Sequence, residues 1–285
     1  MKNDFLHTIY YWLINFYWII IRRNLQAGKS QLQASPEITQ EEKQLLEKVS
    51  LKVNLKDTMY IKGRGDAYLS VGLSALRCID EALHLTETEP SVKSILDFAG
   101  GSGRVLRFLQ ARFPEAQITA SELDLNGLEY CKKNFGVNIF QSKIPLSSVV
   151  MPNKYDLIWC GSLFTHIDEQ PANDLLKFFY DHLTDKGVCV FTTHGMLTIK
   201  WLEEGKKTTY GIPILSQKKV LSEYYAKGYG YTDYENEPGY GISAVTHERL
   251  NEMAKSVGDW NEIMHLEHGW DNHQDVYAFS RQNAK

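Results

Sequence analysis

A run from Ser94 to Leu106, with the sequence SILDFAGGSGRVL, constrains the fold more than any other part of the chain. It predicts a short buried strand, a tight glycine loop, and a helix with apolar residues at Val105, Leu106, Phe108 and Leu109. Glycine has no Cβ and tolerates positive φ, so such a loop lets a ligand lie against bare backbone. The helix that follows offers free N–H groups and the positive end of its dipole to a polar ligand.

An acidic residue follows at the end of the next predicted strand. This strand covers Gln117 to Ser121 and ends at Glu122, 19 residues after Gly103. A carboxylate at that position can accept hydrogen bonds from a ribose diol. Strand, glycine loop, helix, strand and acid, in this order, predict a nucleoside site.

The spacing of the glycines indicates which kind of nucleoside is bound. A dinucleotide fingerprint needs G-x-G-x-x-G, but its third glycine position is occupied by Leu106. Instead the acid Asp97 stands before the loop, in the pattern Asp97-x-Ala99-x-Gly101-x-Gly103. This pattern resembles the first motif of class I S-adenosylmethionine-dependent methyltransferases, with alanine in place of the usual first glycine. A carboxylate suits that cofactor, which carries an ammonium group and no phosphate.

The resemblance extends over roughly residues 57–281 and includes three further stretches. These are YDLIWCGSLFTH at 155–166, FTTHG at 191–195 and GWDNHQD at 269–275. They look like bacterial methyltransferase-domain proteins of glycan or secondary-metabolite pathways. The resemblance implies an enzyme that methylates a small-molecule or saccharide acceptor at oxygen or nitrogen, with S-adenosylmethionine as its cofactor.

The resemblance also implies roles for individual residues. Asp97, Ala99, Gly101 and Gly103 would hold the methionine and ribose portions, and Glu122 would bind the ribose hydroxyls. Leu123 would lie beside the adenine and Ser142 near its amine. Cys160 would lie on the methionine side. The implied cofactor-binding set is therefore Asp97, Ala99, Gly101, Gly103, Glu122, Leu123, Ser142 and Cys160.

Histidines are the candidates for proton transfer. Methyl transfer is an in-line displacement, and the enzyme mainly holds donor and acceptor in a near-attack geometry. An acceptor hydroxyl must also lose its proton, and histidine titrates near neutrality. His166 and His194 follow the fourth and fifth predicted strands and are the candidate catalytic residues, while His273 lies in the last hairpin. A structural role for each remains an alternative.

Alternating strand and helix patterns predict a Rossmann-like α/β fold. The sheet is predicted to have seven mostly parallel strands, with helices on both faces and an antiparallel last strand reached through the turn at 268–273. The predicted strands are 94–97, 117–121, 137–141, 156–160, 187–193, 261–266 and 275–280, and the predicted helices lie near 68–83, 104–112, 125–134, 171–183 and 247–257.

The N-terminal segment is apolar and aromatic from Phe5 to Ile21 and is followed by Arg22 and Arg23. Three interpretations stay open: a helix on a membrane surface, a helix packed on the protein or a partner, and a short membrane span. Residues 24–58 are polar and predict a linker with one short helix near 41–51. The chain thus divides into a hydrophobic helix with its linker (1–56) and a methyltransferase domain (57–285), in a cytoplasmic setting with possible membrane contact.

Residues 195–245 do not fit the alternation of strands and helices. They are rich in tyrosine and predict an irregular insertion at the edge of the sheet where ligands bind. Aromatic faces with hydroxyl tips suit a polar organic ligand, so the insertion is a candidate substrate lid. A packed surface insertion or a subunit interface is the alternative.

The composition of the chain argues against several other classes of function. The net charge of −4 does not favour nucleic acid as a partner. The four cysteines form no C-x-x-C pair, so neither a metal site nor a disulfide framework is predicted. Two alternatives remain: an NAD-linked oxidoreductase, which would use the same strand–loop–helix unit, and a non-catalytic membrane-associated scaffold.

Overall fold

One seven-stranded β-sheet organises the structure, a computed structural model. The structure describes residues 2–86, 91–146, 149, 151, 153–205 and 210–281, with side chains from Trp18 onward within those ranges. The strands are β1 (Ser94–Phe98), β2 (Gln117–Glu122), β3 (Asn138–Gln141), β4 (Tyr155–Cys160), β5 (Leu183–Thr193), β6 (Tyr229–Tyr234), β7 (Glu237–Val245), β8 (Trp260–Trp270) and β9 (Gln274–Arg281). The helices are α1 (Lys2–Ala34), α2 (Gln40–Lys48), α3 (Gly65–His84), α4 (Leu106–Arg112), α5 (Leu125–Phe135), α6 (Glu169–His182), α7 (Met196–Glu203), α8 (Ile214–Lys227) and α9 (His247–Val257).

The strand order in this sheet is β3–β2–β1–β4–β5–β9–β8. Strands β1 to β5 pair in parallel, whereas β9 is antiparallel to both of its neighbours. The order therefore reverses between β1 and β4, and α/β sheets bind ligands beyond the carboxyl ends of their strands at such a point. The predicted Rossmann-like sheet with an antiparallel last strand is confirmed.

Apolar side chains on both faces of the sheet hold the helices in place. Leu96 and Ile158 belong to the cluster that α6 and α9 cover. The preceding residues in the same strands, Ile95 and Leu157, belong to the cluster formed with α3, α4 and α5. Side chains alternate between the faces of a strand, so a strand buried on both faces is a continuous apolar run. Helices on both faces are thus confirmed.

Aspartate caps start two helices at the edge of the sheet where β2 and β4 end. The Asp124 side chain accepts hydrogen bonds from the backbone N–H groups of Asn126 and Gly127 and starts α5. Asp168 caps α6 in the same way, through the N–H of Glu169. These caps satisfy donors that a helix start leaves unpaired, and they fix where the chain turns back from the edge.

The helix α1 packs against the α/β domain along its C-terminal half. Ile21 and Leu25 are buried in a cluster with residues of α3 and α4. The two helices approach closely at Gly28 and Gly65, where a Cβ on either glycine would overlap the backbone of the other helix. The prediction of a linker from residue 24 is wrong as far as Ala34, where α1 ends, whereas the short helix predicted near 41–51 is present as α2.

The described part of α1 therefore agrees with one of the three interpretations of the N-terminal segment, namely packing on the protein itself. The side chains of residues 5–17, on which the membrane interpretations depend, lie outside the described residues. No helix among the residues searched is long and apolar enough to cross a membrane.

The insertion at 195–245 is regular, which corrects the prediction of an irregular stretch. It contains α7, α8 and the antiparallel hairpin β6–β7, around an apolar cluster that includes Ile199, Val220 and Ile242. Tyrosine fits both a helix and a strand here, since Tyr224 is buried in α8 and Tyr229 in β6. The periodicity of the apolar residues alone therefore did not distinguish the helices of the insertion from its strands.

Backbone hydrogen bonds attach β7 to the carboxyl edge of the main sheet. The N–H groups of Gly241 and Ser243 donate to the carbonyls of His166 and Thr165 (2.8 and 2.9 Å), and that of Val245 donates to His194 (3.0 Å). The hairpin is thereby held next to the segments that leave β4 and β5.

Candidate functional site

The glycine loop after β1 holds three residues with left-handed backbone conformation. Ala99, Gly101 and Gly103 have φ values of 56°, 56° and 86°. Ala99 bears the strain of a side chain at positive φ, and its N–H donates to the Ser121 carbonyl (2.8 Å), which holds the loop to β2. A Cβ at Gly101 would meet nothing within 4 Å, whereas one at Gly103 would crowd Phe135 at 2.8 Å. Gly101 thus faces open space and Gly103 faces packed protein.

Glu122 connects the ends of β1 and β2. Its Oε2 accepts a hydrogen bond from the Gly101 N–H (3.0 Å), and its Oε1 accepts one from the Leu123 N–H (2.7 Å). A carboxylate has about four lone-pair sites, so it can accept further hydrogen bonds from a ligand. Leu123 itself is half exposed beside it.

Asp97 is a fully buried acid beneath the loop. Neither of its carboxyl oxygens has a hydrogen-bond partner in the part of the chain that the structure describes. Burial, followed by the negative charge of Glu122, raises the pKa of Asp97 to about 7. Such a group favours either a bound proton or a bound cation.

A mostly apolar cavity of about 350 Å³ opens beside Glu122. Residues from the end of β2, the segment after β3, the segment after β4 and the hairpin β6–β7 line it. Among them are Glu122, Leu123, Ser142, Leu163, Ile167, Pro238 and Gly239. The backbone N–H of Ser142 donates to the Glu122 carbonyl (3.1 Å), which brings this predicted residue to the site.

The side chain of the predicted residue Cys160, like that of Asp97, does not line this cavity. Its thiol is fully buried in the apolar cluster with Phe98 and Phe191. Burial raises the pKa of Cys160 well above its usual value. Any contact that Cys160 makes with a ligand would come from its backbone.

His166 lies between β4 and the hairpin. Its Nδ1 is 2.7 Å from the Gly241 carbonyl, and its ring stacks on Tyr240 with centroids 4.7 Å apart. The Nδ1–H must donate to this carbonyl, so Nε2 carries the lone pair. Burial lowers the pKa of His166.

His194 is fully buried and both of its ring nitrogens are engaged. Nδ1 lies 3.0 Å from the Ser243 carbonyl and Nε2 lies 3.0 Å from the Tyr210 hydroxyl. Burial, with neighbouring His273 and His166, lowers the pKa of His194 far below its usual value. This histidine has no free nitrogen with which to contact a substrate.

The sequence did not predict that the Tyr210 hydroxyl bridges His194 and His273, or that His273 lies close to the other two histidines. The Tyr210 hydroxyl is 2.6 Å from His273 Nε2 as well as 3.0 Å from His194 Nε2. The imidazole centroids form a row, 6.5 Å from His166 to His194 and 5.2 Å from His194 to His273. No sequence spacing reveals this row, because its three members come from three separate segments.

In the residues that the structure describes, no group of three or more His, Cys, Asp or Glu side chains could hold a metal ion.

Together these features define a nucleoside-type cleft at the carboxyl edge of a Rossmann-like sheet. A family model described as a methyltransferase domain matches residues 95–187, which include the loop, Asp97 and Glu122. This part of the chain matches a methyltransferase domain, as its motifs predict, and S-adenosylmethionine is the cofactor that the match supports.

Two curated proteins are similar to this chain. Ubiquinone/menaquinone biosynthesis C-methyltransferase UbiE of Desulfotalea psychrophila is 28% identical over 143 residues, covering 47% of this chain and 56% of its own length. Malonyl-[acyl-carrier protein] O-methyltransferase of Acetivibrio thermocellus is 28% identical over 147 residues, covering 50% of each chain. This chain thus spans about half the length of the curated relatives it matches.

Among solved structures, the crystal structure of human N-acetylserotonin methyltransferase in complex with SAM has a similar fold. It superposes with a TM-score of 0.50 at 14% identity, over 78% of this chain and 54% of that chain. At this low sequence identity, the structural similarity is evidence for a shared fold and for nothing beyond the fold.

Proposed function

We propose that this chain transfers a methyl group from S-adenosylmethionine to a small-molecule or saccharide acceptor, at oxygen or nitrogen. The observation that carries the proposal is the position of Glu122, whose carboxylate is held by the Gly101 and Leu123 N–H groups beside an open glycine loop and an apolar cavity. The ribose hydroxyls would donate to this carboxylate, and the adenine would enter the cavity between Leu123 and Ser142.

Asp97 would balance the positive charge of the methionine portion. Its buried carboxyl has no partner in the described structure and needs either a proton or a cation. The cofactor ammonium, lying over Ala99, Gly101 and Gly103, would supply that cation. The backbone of Cys160 and Gly161 would complete this side of the site.

The insertion would act as a lid. Pro238 and Gly239, at the tip of the hairpin β6–β7, line the same cavity as Glu122 and Leu123. A lid that covers this cavity would exclude water from the cofactor and hold it in place.

The transfer itself would be a direct displacement at the sulfonium methyl group, promoted by alignment of donor and acceptor. Of the two predicted candidates for the proton acceptor, His166 keeps Nε2 free while His194 has both nitrogens engaged. Of these two histidines, only His166 therefore has a ring nitrogen left for a ligand, and His194 would act through its neighbours.

Transfer of a labelled methyl group tests this proposal. The protein is incubated with methyl-tritiated S-adenosylmethionine and pooled fractions of small metabolites, with Glu122→Ala as a matched control. We expect label to move into a small molecule with the wild-type protein and to stay in the cofactor with the variant. Failure of any fraction to accept label, together with quenching of nicotinamide fluorescence on binding, would favour the oxidoreductase alternative.

A further inference from the structure

The hydrogen bonds of His194 and Tyr210 determine the tautomer of His273. The Nδ1–H of His194 donates to the Ser243 carbonyl, so Nε2 of this neutral ring must accept a hydrogen bond. The Tyr210 hydroxyl is its partner and therefore donates to His194. Because its single proton is then used, the Tyr210 oxygen must accept at 2.6 Å from Nε2–H of His273.

This chain of hydrogen bonds leaves one nitrogen free. With Nε2 protonated, Nδ1 of neutral His273 carries the lone pair, and it has no hydrogen-bond partner within the described residues. The ring is held from its face as well, stacked on Trp201 with centroids 4.9 Å apart. His273 is thus a fixed imidazole with one unused basic atom.

The turn that carries His273 lies over the ends of β4 and β5. The Trp270 ring leaves no room for a side chain at Gly161, the first residue after β4. Gln274 donates to the Ser162 hydroxyl (3.0 Å) and accepts from Thr192 in β5 (2.6 Å). Arg104, next to the glycine loop, lies 5.7 Å above the Trp270 ring. His273 therefore lies at the same edge as the glycine loop and the β4 terminus.

We propose that Nδ1 of His273 receives the acceptor's proton during methyl transfer, and that Tyr210 and His194 are positioning residues that hold His273 in the required tautomer. This rests on the proposed function. The acceptor's lone pair forms the new bond to the methyl carbon, and the carbon–sulfur bond breaks with its electrons left on sulfur, giving a neutral thioether. The acceptor's proton moves to Nδ1, leaving imidazolium, so the acceptor class is one with a proton to lose, a hydroxyl or an amine.

The charges around His273 come from several elements. Asp271 and Asp275 raise its pKa, His268 lowers it, and burial lowers it most. Tyr210, from the insertion, and His194, from the segment after β5, contact His273 as neutral groups. A cationic sulfonium at the proposed methyl position would disfavour a second positive charge on this ring.

Nitrogen NMR of the protein labelled at its histidines tests the inference without a known acceptor. The titration of each ring is followed with S-adenosylmethionine bound and with S-adenosylhomocysteine bound, which differ by one positive charge. We expect His273 to show the Nε2–H tautomer and a midpoint about half a pH unit or more lower with the sulfonium. His84, at the opposite edge of the sheet beside Val92 and Arg112, is the internal control and keeps its resonances unchanged between the two complexes.

Matched tyrosine variants test the positioning role. Tyr210→Phe removes the oxygen that accepts from His273, so the tautomer preference of His273 should be lost while the cofactor still binds. Tyr225→Phe, which removes an exposed hydroxyl bonded to Glu203, should leave it unchanged.

The outcomes separate the two proposals. If neither nucleoside binds, the proposed function fails. If both bind but His273 is the Nδ1–H tautomer, or the sulfonium-dependent shift appears at His166 instead, the inference about His273 is overturned.

Discussion

At the scale of single residues, Gly101 and Gly103 have similar backbone conformations but different surroundings. Gly101→Val should abolish binding of S-adenosylmethionine while costing about 1–3 kcal/mol of stability, since its Cβ would enter open space and the strain comes from positive φ. Calorimetry with the cofactor and thermal unfolding measure the two effects.

Gly103→Ala is the matched comparison for Gly101→Val. Its Cβ would crowd Phe135, Leu106 and Cys131, so this smaller substitution should lower the melting temperature more than Gly101→Val does. The reverse order of melting temperatures would contradict the distinction between a ligand-facing and a packed glycine.

Asp97 should make both stability and cofactor binding depend on pH. Its pKa is raised from 3.8 to about 7, so the folded protein holds this proton more tightly than the unfolded chain does. The contribution of Asp97 to the free energy of unfolding therefore falls as pH rises from 3.8 to about 7, and it is constant above that pH. Asp97→Asn should remove this part of the pH dependence, as measured by denaturant unfolding between pH 4 and about 8.

Because of Asp97, we also expect the protein to release a proton when it binds the cofactor. An ammonium beside Asp97 lowers the pKa of the carboxyl, so binding near pH 6 to about 7 should release protons. Calorimetry in two buffers of different ionisation enthalpy detects this release in the wild-type protein. An equal release in Asp97→Asn would show that the proton comes from another group.

At the scale of secondary-structure elements, α1 belongs to the packed domain along its C-terminal half. Leu25→Ala should destabilise the protein by about 2–5 kcal/mol, because Leu25 is fully buried among residues of α3. Ile19→Ala, on the same helix at 50% exposure, should change stability by less than about 0.5 kcal/mol. Denaturant unfolding compares them, and equal effects would show that α1 does not pack as described.

The elements that could be predicted from sequence are those with local signals. β1, α4 and β2 follow from the glycine loop and from apolar runs too short for helices. Helix α8 and strand β6 were missed because tyrosines occupy some of their buried positions, namely Tyr224 in α8 and Tyr229 and Tyr231 in β6, and tyrosine is compatible with both kinds of element. The continuation of α1 beyond Asn24 was missed because half of its residues there are polar, with burial confined to one side.

At the scale of the whole molecule, the sheet order places the predicted residues at one edge. Asp97, Gly101 and Glu122 could be predicted because each stands immediately after or at the end of a recognisable strand. Tyr210 and His273 could not, since their contact depends on how the insertion folds back onto the β8–β9 turn. Tertiary packing of this kind leaves no periodic pattern in the sequence.

The same arrangement supports the proposed role of the insertion as a lid. The hairpin β6–β7 bonds to the segments after β4 and β5 and reaches the cavity beside Glu122. The proposed cofactor site and the proposed lid therefore share lining residues. Binding of the cofactor would for this reason also order the lid.

Calorimetric titration of the full-length protein with S-adenosylmethionine tests the central claim most directly, with Glu122→Ala and NAD⁺ as comparisons. Loss of the charge-assisted hydrogen bonds to the ribose should weaken binding of S-adenosylmethionine about a hundredfold in the variant, and NAD⁺ should give no heat. Equal affinity of the two proteins for S-adenosylmethionine, or tighter binding of NAD⁺, would contradict the account.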